Sequence, residues 1–117
     1  MTTAISTRQV EPDITVVEIS GRLNLGNNLA QAEHTLKQII ESGARKLAVD
    51  LAGLTYIDSA GIGMLVGTNG IMDSAGGKVR VSGASGVVAK VFETVHLDRI
   101  LSLHPDVAAS VAAFSGH

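Results

Sequence analysis

Short runs rich in β-branched residues alternate along this chain with longer stretches whose apolar residues fall at helical spacing, and that alternation leaves few folds open. Strands separated by helices pair in parallel through right-handed crossovers. Residues 4–10 and 14–20 read as two strands, the second being Ile14-Thr15-Val16-Val17-Glu18-Ile19-Ser20. Pro12-Asp13 between them reads as a turn, so the pair forms an antiparallel hairpin, and Gly21 ends the second strand. A helix is expected over 28–42, with Leu29, Ala32, Leu36, Ile39 and Ile40 on one side, Asn27 or Asn28 as cap and Gly43 as stop. A buried strand over 46–51 and a short connection lead to Asp58. A second helix runs from Ser59 to Ala75, and Gly76-Gly77 terminates it. A strand over 78–82, a helix over 85–95, a short strand over 99–103 and a helix over 105–114 with Pro105 in its first turn complete the chain. The expected order is ββαβαβαβα: an α/β fold whose mixed sheet, hairpin first and parallel strands after, is covered by amphipathic helices. A single domain over 1–117 accommodates all of it.

Composition narrows the function. Of the 117 residues 45% are hydrophobic, and Tyr56, Phe92 and Phe114 are the only aromatics, so Val, Ile, Leu, Ala and Met must build the core. Aromatic platforms for stacking single-stranded bases are missing, and a net charge of −2 does not suit a binder of phosphate backbones; no nucleic-acid partner is expected. The absence of cysteine excludes disulfides, zinc–cysteine sites and thiol catalysis. No basic segment followed by an apolar one opens the chain, and no run approaches the ~18 apolar residues of a membrane span. A cytoplasmic protein without direct membrane insertion is the expectation.

Chemistry concentrates at Tyr56-Ile57-Asp58-Ser59-Ala60-Gly61-Ile62-Gly63, where a strand-like run ends and a helix opens. The first amides of a helix lack intrahelical partners and carry partial positive charge, which favours a phosphate there. The plainer role for Asp58 or Ser59 is to cap the helix, and the two roles are compatible. Nucleotide loops fail on detail: Val66 stands where a dinucleotide fingerprint needs glycine, and Gly76-Gly77-Lys78 ends a helix rather than starting one. A nucleophile elbow needs glycine where Ile57 stands, and His34, His96, His104 and His117 lie on separate elements without metal-pair spacing. No enzymatic activity, metal or cofactor is therefore expected. An acid pair of Asp50 and Asp58 is conceivable, and Asn24 is a polar residue that the topology could bring near Ser59. Ile62, Gly63, Val66, Gly67 and Gly70 occupy a helix face away from Leu65 and Met72; it either packs closely on a neighbouring helix or offers a shallow docking surface.

Taken together these residues resemble the STAS domain, and within it the bacterial anti-sigma-factor antagonists. The resemblance spans nearly the whole chain and rests on Gly21-Arg22-Leu23-Asn24, on Asp58-Ser59-Ala60-Gly61-Ile62-Gly63, on Gly76-Gly77 before a strand, and on Ser85 through Leu97. It implies that Ser59 is phosphorylated by a partner anti-sigma factor, a serine kinase that brings its own ATP. It further implies that the unphosphorylated form binds this kinase and releases the sigma factor, and that a phosphatase acting on phosphorylated Ser59 resets the switch. Asn24, Asp58, Ala60, Gly61, Ile62, Gly63, Val66 and Gly67 are the partner-binding residues expected on that basis. Two departures stand out: Ala60 replaces the second Ser or Thr often found after the serine, and Asn24 replaces a frequent Asp. The same domain also serves in lipid-transport complexes and stress-signalling scaffolds, so a non-switching subunit is the alternative role.

Overall fold

A six-stranded mixed sheet with helices on both faces buries the β-branched runs in the computed structural model, which describes residues 3–116. The elements are β1 (Ala4–Val10), β2 (Ile14–Leu23), α1 (Asn27–Glu41), β3 (Lys46–Asp50), β4 (Leu54–Ile57), α2 (Ser59–Ser74), β5 (Lys78–Ser82), α3 (Gly86–Thr94), β6 (Ser102–His104) and α4 (Val107–Gly116), with a 3-10 turn over Leu97–Arg99. The main path is β1-β2-β3-β5-β6. β1 and β2 form the expected antiparallel hairpin, with Val10 opposite Ile14, while β2–β3, β3–β5 and β5–β6 are parallel.

The sheet separates two apolar layers. On one face Val17, Ile19, Leu47, Val49, Val79 and Val81 meet Leu36 of α1, Leu65 and Met72 of α2, and Phe92 of α3. On the other, Val16 and Ala48 meet Val107, Val111 and Phe114 of α4. Each fully buried aliphatic side chain contributes about 1.5–3 kcal/mol relative to exposure, so the aliphatic core compensates for the scarcity of aromatics.

Three sequence expectations need correction. The strand beginning at Ile14 does not end at Gly21 but continues to Leu23. Gly21 takes φ +89°, the register shifts between Gly21 and Arg22, and past this bulge the strand pairs with a new partner. That partner is β4, a strand in the segment read as a plain connection to Asp58; it pairs only with β2, off the main path. The last strand begins at Ser102 rather than Arg99, because Leu97 and Leu101 are buried through a 3-10 turn that leaves Ile100 exposed. The observed order is thus ββαββαβαβα.

Capping differs in detail as well. Gly26 is the N-cap of α1 and no side chain caps it; Asn28 instead donates its amide to Asn24 Oδ1 (2.6 Å) and to the Arg22 carbonyl (2.9 Å). The Asn27 side chain and His117 lie outside the described residues. Pro105 precedes α4, whose first turn is closed by Asp106 Oδ1 accepting from the Ala109 amide (2.8 Å).

Candidate functional site

β4 ends with Ile57 in the core, and the chain then turns at Asp58, which is extended (φ −110°, ψ −177°) and serves as N-cap of α2. Its carboxylate joins two segments. Oδ1 accepts from the Gly61 amide (2.9 Å), closing the first helical turn, and Oδ2 accepts from the Leu25 amide (2.9 Å) in the loop after β2. The Asp58 amide donates to the Leu23 carbonyl (3.3 Å), so backbone and side chain together stitch that loop to the start of α2. The Leu25 amide does most to hold the Asp58 carboxyl below its ordinary range; burial opposes it, and the amides of Gly61 and Ala60 add to the lowering.

Ser59 follows as the first helical residue, exposed, and its hydroxyl makes no hydrogen bond among the described residues. Asp58 rather than Ser59 does the capping, which leaves the serine hydroxyl available. In the two segments that meet here, residues 20–28 and 54–62, Asp58 is the only acid and Arg22 the only cation. The Arg22 guanidinium lies over the Tyr56 ring, 4.2 Å from its centroid.

The glycines of α2 divide into two kinds. A β-carbon at Gly61 would lie 2.7 Å from Ile57 Cγ1 and 2.7 Å from the Leu23 carbonyl oxygen, whereas at Gly63, Gly67 and Gly70 it meets nothing within 4 Å. Gly61 is therefore a packing requirement that lets α2 start close under β2. The other three face open space, so close helix packing, one of the two readings of that face, does not occur there. Gly63 and Gly67 line a groove of about 530 Å³ with Ala60, walled by Leu36 and Ile40 of α1 and by Met64 and Ile71 of α2. Ile62 and Val66 are half-buried against the core.

Asn24 reaches the neighbourhood through the Leu23–Leu25 loop, but its oxygen is engaged by Asn28. Asp50 does not join Asp58: its Oδ1 closes a separate turn by accepting from the Ala52 amide (3.0 Å). His34 and His96 are exposed, and His104 sits half-buried on β6, its Nε2 3.3 Å from Arg80 Nη1. Among the described residues no three His, Asp or Glu side chains come together in a way that could hold a metal ion. Leu25 went unnoticed in the sequence. It is 76% exposed, the most exposed large hydrophobic residue described, and its backbone is held by Asp58 beside Ser59. An isolated leucine between Asn24 and Gly26, in a polar loop, was the available signal.

With this geometry in view, known proteins supply the comparison. Residues 6–110 match the model of the STAS domain. The chain is 25% identical over 88 residues to the anti-sigma-B factor antagonist of Staphylococcus aureus, an alignment covering 75% of this chain and 81% of the relative. Its fold is similar to that of an anti-sigma factor antagonist from Mycobacterium paratuberculosis (TM-score 0.82, 18% identity, 96% and 93% of the two chains covered). It is also similar to the Bacillus cell fate determinant SpoIIAA in its phosphorylated form (TM-score 0.69, 20% identity, 91% and 96% covered). Among the described residues, no helix is long and apolar enough to cross a membrane.

Proposed function

Since the chain belongs to the STAS domain family, we propose that it is an anti-sigma-factor antagonist switched by phosphorylation of Ser59. In the unphosphorylated state it binds an anti-sigma factor that is also a serine kinase, and the sigma factor is released. The kinase then transfers phosphate from its own ATP. The Ser59 oxygen bonds to the γ-phosphorus, the bond to the ADP oxygen breaks, and the hydroxyl proton passes to a base of the kinase. A phosphatase hydrolyses the phosphoserine and restores the binding form. In this reading the chain, one domain over 1–117, is a cytoplasmic substrate and docking module; it is not an enzyme and needs no cofactor.

The observation that carries the proposal is the Ser59 hydroxyl: exposed, without a hydrogen bond among the described residues, and set on the first residue of α2 by the two hydrogen bonds of Asp58. Phosphate adds about −1.5 to −2 charges, which the amino end of a helix accommodates, so the fold survives while a partner packed over this point is repelled. The partner surface comprises Asn24 and Asp58 beside the serine, then Ala60, Ile62, Gly63, Val66 and Gly67 along α2, with Gly61 shaping it from beneath. Leu25 joins them as an apolar anchor. The test is mass spectrometry after incubation with candidate kinases and ATP. One phosphate should appear on Ser59 and be lost in Ser59→Ala; labelling that persists in the variant would move the site elsewhere.

A further inference from the structure

We propose that His104 is a proton-operated latch on α4: as neutral imidazole it keeps Arg80 seated against the helix, and as imidazolium it lets Arg80 go and the carboxyl end of α4 lifts from the sheet. Arg80 and His104 lie on neighbouring parallel strands, β5 and β6, with Arg80 Nη1 3.3 Å from His104 Nε2. A guanidinium has only donors, so this contact requires a lone pair on Nε2 and places the ring proton on Nδ1. The same guanidinium lies 5.1 Å from the centre of the Phe114 ring on α4. A proton added to Nε2 removes the acceptor and sets two cations side by side.

Little else restrains Arg80 or the end of the helix. Arg80 Nε is buried with no hydrogen-bond partner among the described residues, and the one salt bridge among them, Lys46–Asp13, lies elsewhere. α4 holds the sheet through Val107, Val111 and Phe114, packed on the small cluster of Ile14, Val16 and Ala48. Its fully buried Ser110 bonds back to the Val107 carbonyl of its own helix (2.9 Å) and adds no tie to the sheet. The larger core on the opposite face draws no residue from α4, so the helix can lift while that core stays packed.

Charge gives the imidazolium a place to turn. His104 also lines a cavity with Glu93 of α3 and Asp98 of the 3-10 turn, both exposed. The other ionisable groups around it are His96 at the end of α3, Asp106 ahead of α4, which accepts from the Ala109 amide, and Asp50, beyond Ser82 in the same row of the sheet. α4 itself carries none. Burial first, and then Arg80, hold the His104 pKa below the ordinary histidine value. The latched form therefore binds the proton less readily than the released one. Docking of α4 is undiminished above the ordinary histidine value and weakens as pH falls from there towards the folded one.

Histidine-ring and amide NMR of the unphosphorylated protein, followed from about pH 7.5 to about pH 5, tests the latch. The Phe114 ring signals should move with the same midpoint as the His104 ring. Over that range the amide protection factor of Val111, relative to that of Val49 at the sheet centre, should fall severalfold. His104→Gln keeps an acceptor for Arg80 that does not titrate, so α4 should stay docked throughout. His96→Gln should leave the wild-type response intact. Phe114 signals that stay flat while His104 titrates would overturn the inference. So would a response that survives His104→Gln, one that vanishes in His96→Gln, or a loss of protection shared equally by Val49.

Discussion

Replacing Gly61 and Gly63 by alanine, one at a time, separates two roles that look identical in the sequence. Both changes add one methyl group and both favour the helix, by roughly 0.5–1 kcal/mol at an interior position. At Gly63 the new β-carbon meets nothing within 4 Å, so the helical preference acts alone and the variant should be slightly stabilised. At Gly61 the same atom would sit 2.7 Å from Ile57 Cγ1 and 2.7 Å from the Leu23 carbonyl oxygen. Ile57 can yield by changing rotamer. The carbonyl cannot, because it belongs to the end of β2 and already accepts from the Asp58 amide. Overpacking typically costs about 1–3 kcal/mol, and a backbone partner places this case in the upper part, roughly 2–3 kcal/mol. Helical preference is common to both variants and largely cancels in their difference. At about 4 °C per kcal/mol for a chain of this size, Gly61→Ala should melt roughly 8–12 °C below Gly63→Ala. Thermal unfolding followed by circular dichroism measures this directly. Melting points within about 2 °C of each other would refute the close approach of α2 to β2.

Other substitutions probe the site in turn. Leu25→Ala should leave the melting point nearly unchanged, since the side chain is 76% exposed, yet weaken kinase binding by more than about 1 kcal/mol in calorimetry. Gly63→Leu should fold normally and lose the partner, because the new side chain enters the open α1–α2 groove; sharply reduced stability would place that face inside the domain. Asp58→Ala should lose about 1–2 kcal/mol at neutral pH, as it removes a cap and a loop tether together. The folded-state pKa of Asp58 is depressed, so its contribution is present above the unfolded value and disappears as pH falls through the folded one. The stability gap between wild type and Asp58→Ala should therefore hold from neutral to mildly acidic pH and close only below the ordinary aspartate range; denaturant titrations that show it closing at roughly pH 5–6 would contradict this assignment. Ser59→Asp should remain folded and bind the kinase more weakly than wild type, though less drastically than the phosphoprotein, because a carboxylate carries less charge than phosphate.

What the residues disclosed beforehand follows from how far each signal reaches along the chain. The hairpin, the helix beginning at Ser59 and the buried strand at Leu47–Val49 are written in local periodicity, and all three are present. β4 was hidden because Leu54-Thr55-Tyr56-Ile57 is only four residues long and pairs on one side, too short for alternation to stand out. Gly21 misled for a related reason: glycine commonly ends a strand, and only the positions of Gly53 and Leu54 show that it bends one instead. At the site, Asp58 and Ser59 were legible from residue type and spacing. The tether from Asp58 to Leu25 was not, since it joins residues 33 apart through a single hydrogen bond to a backbone amide. Whether a helical glycine is crowded or open likewise depends on what lies across from it, and Gly61 and Gly63 differ only in that.

The bend at Gly21 has a mechanical consequence. Before it, β2 is held on both sides, by β1 and by β3; beyond it, β4 hangs on β2 alone, paired only at Gly21, Arg22 and Leu23. The short ribbon that delivers Asp58 and Ser59 is thus laddered along one margin only and is otherwise held by Leu54 and Ile57 in the core. Its backbone amides should exchange with solvent faster than those of the β3–β5 centre of the sheet, a difference that native-state hydrogen exchange measures. The serine accordingly follows the strand with the shortest ladder on the β2 side, positioned by core side chains and by the Asp58 hydrogen bonds rather than by neighbouring strands on both sides.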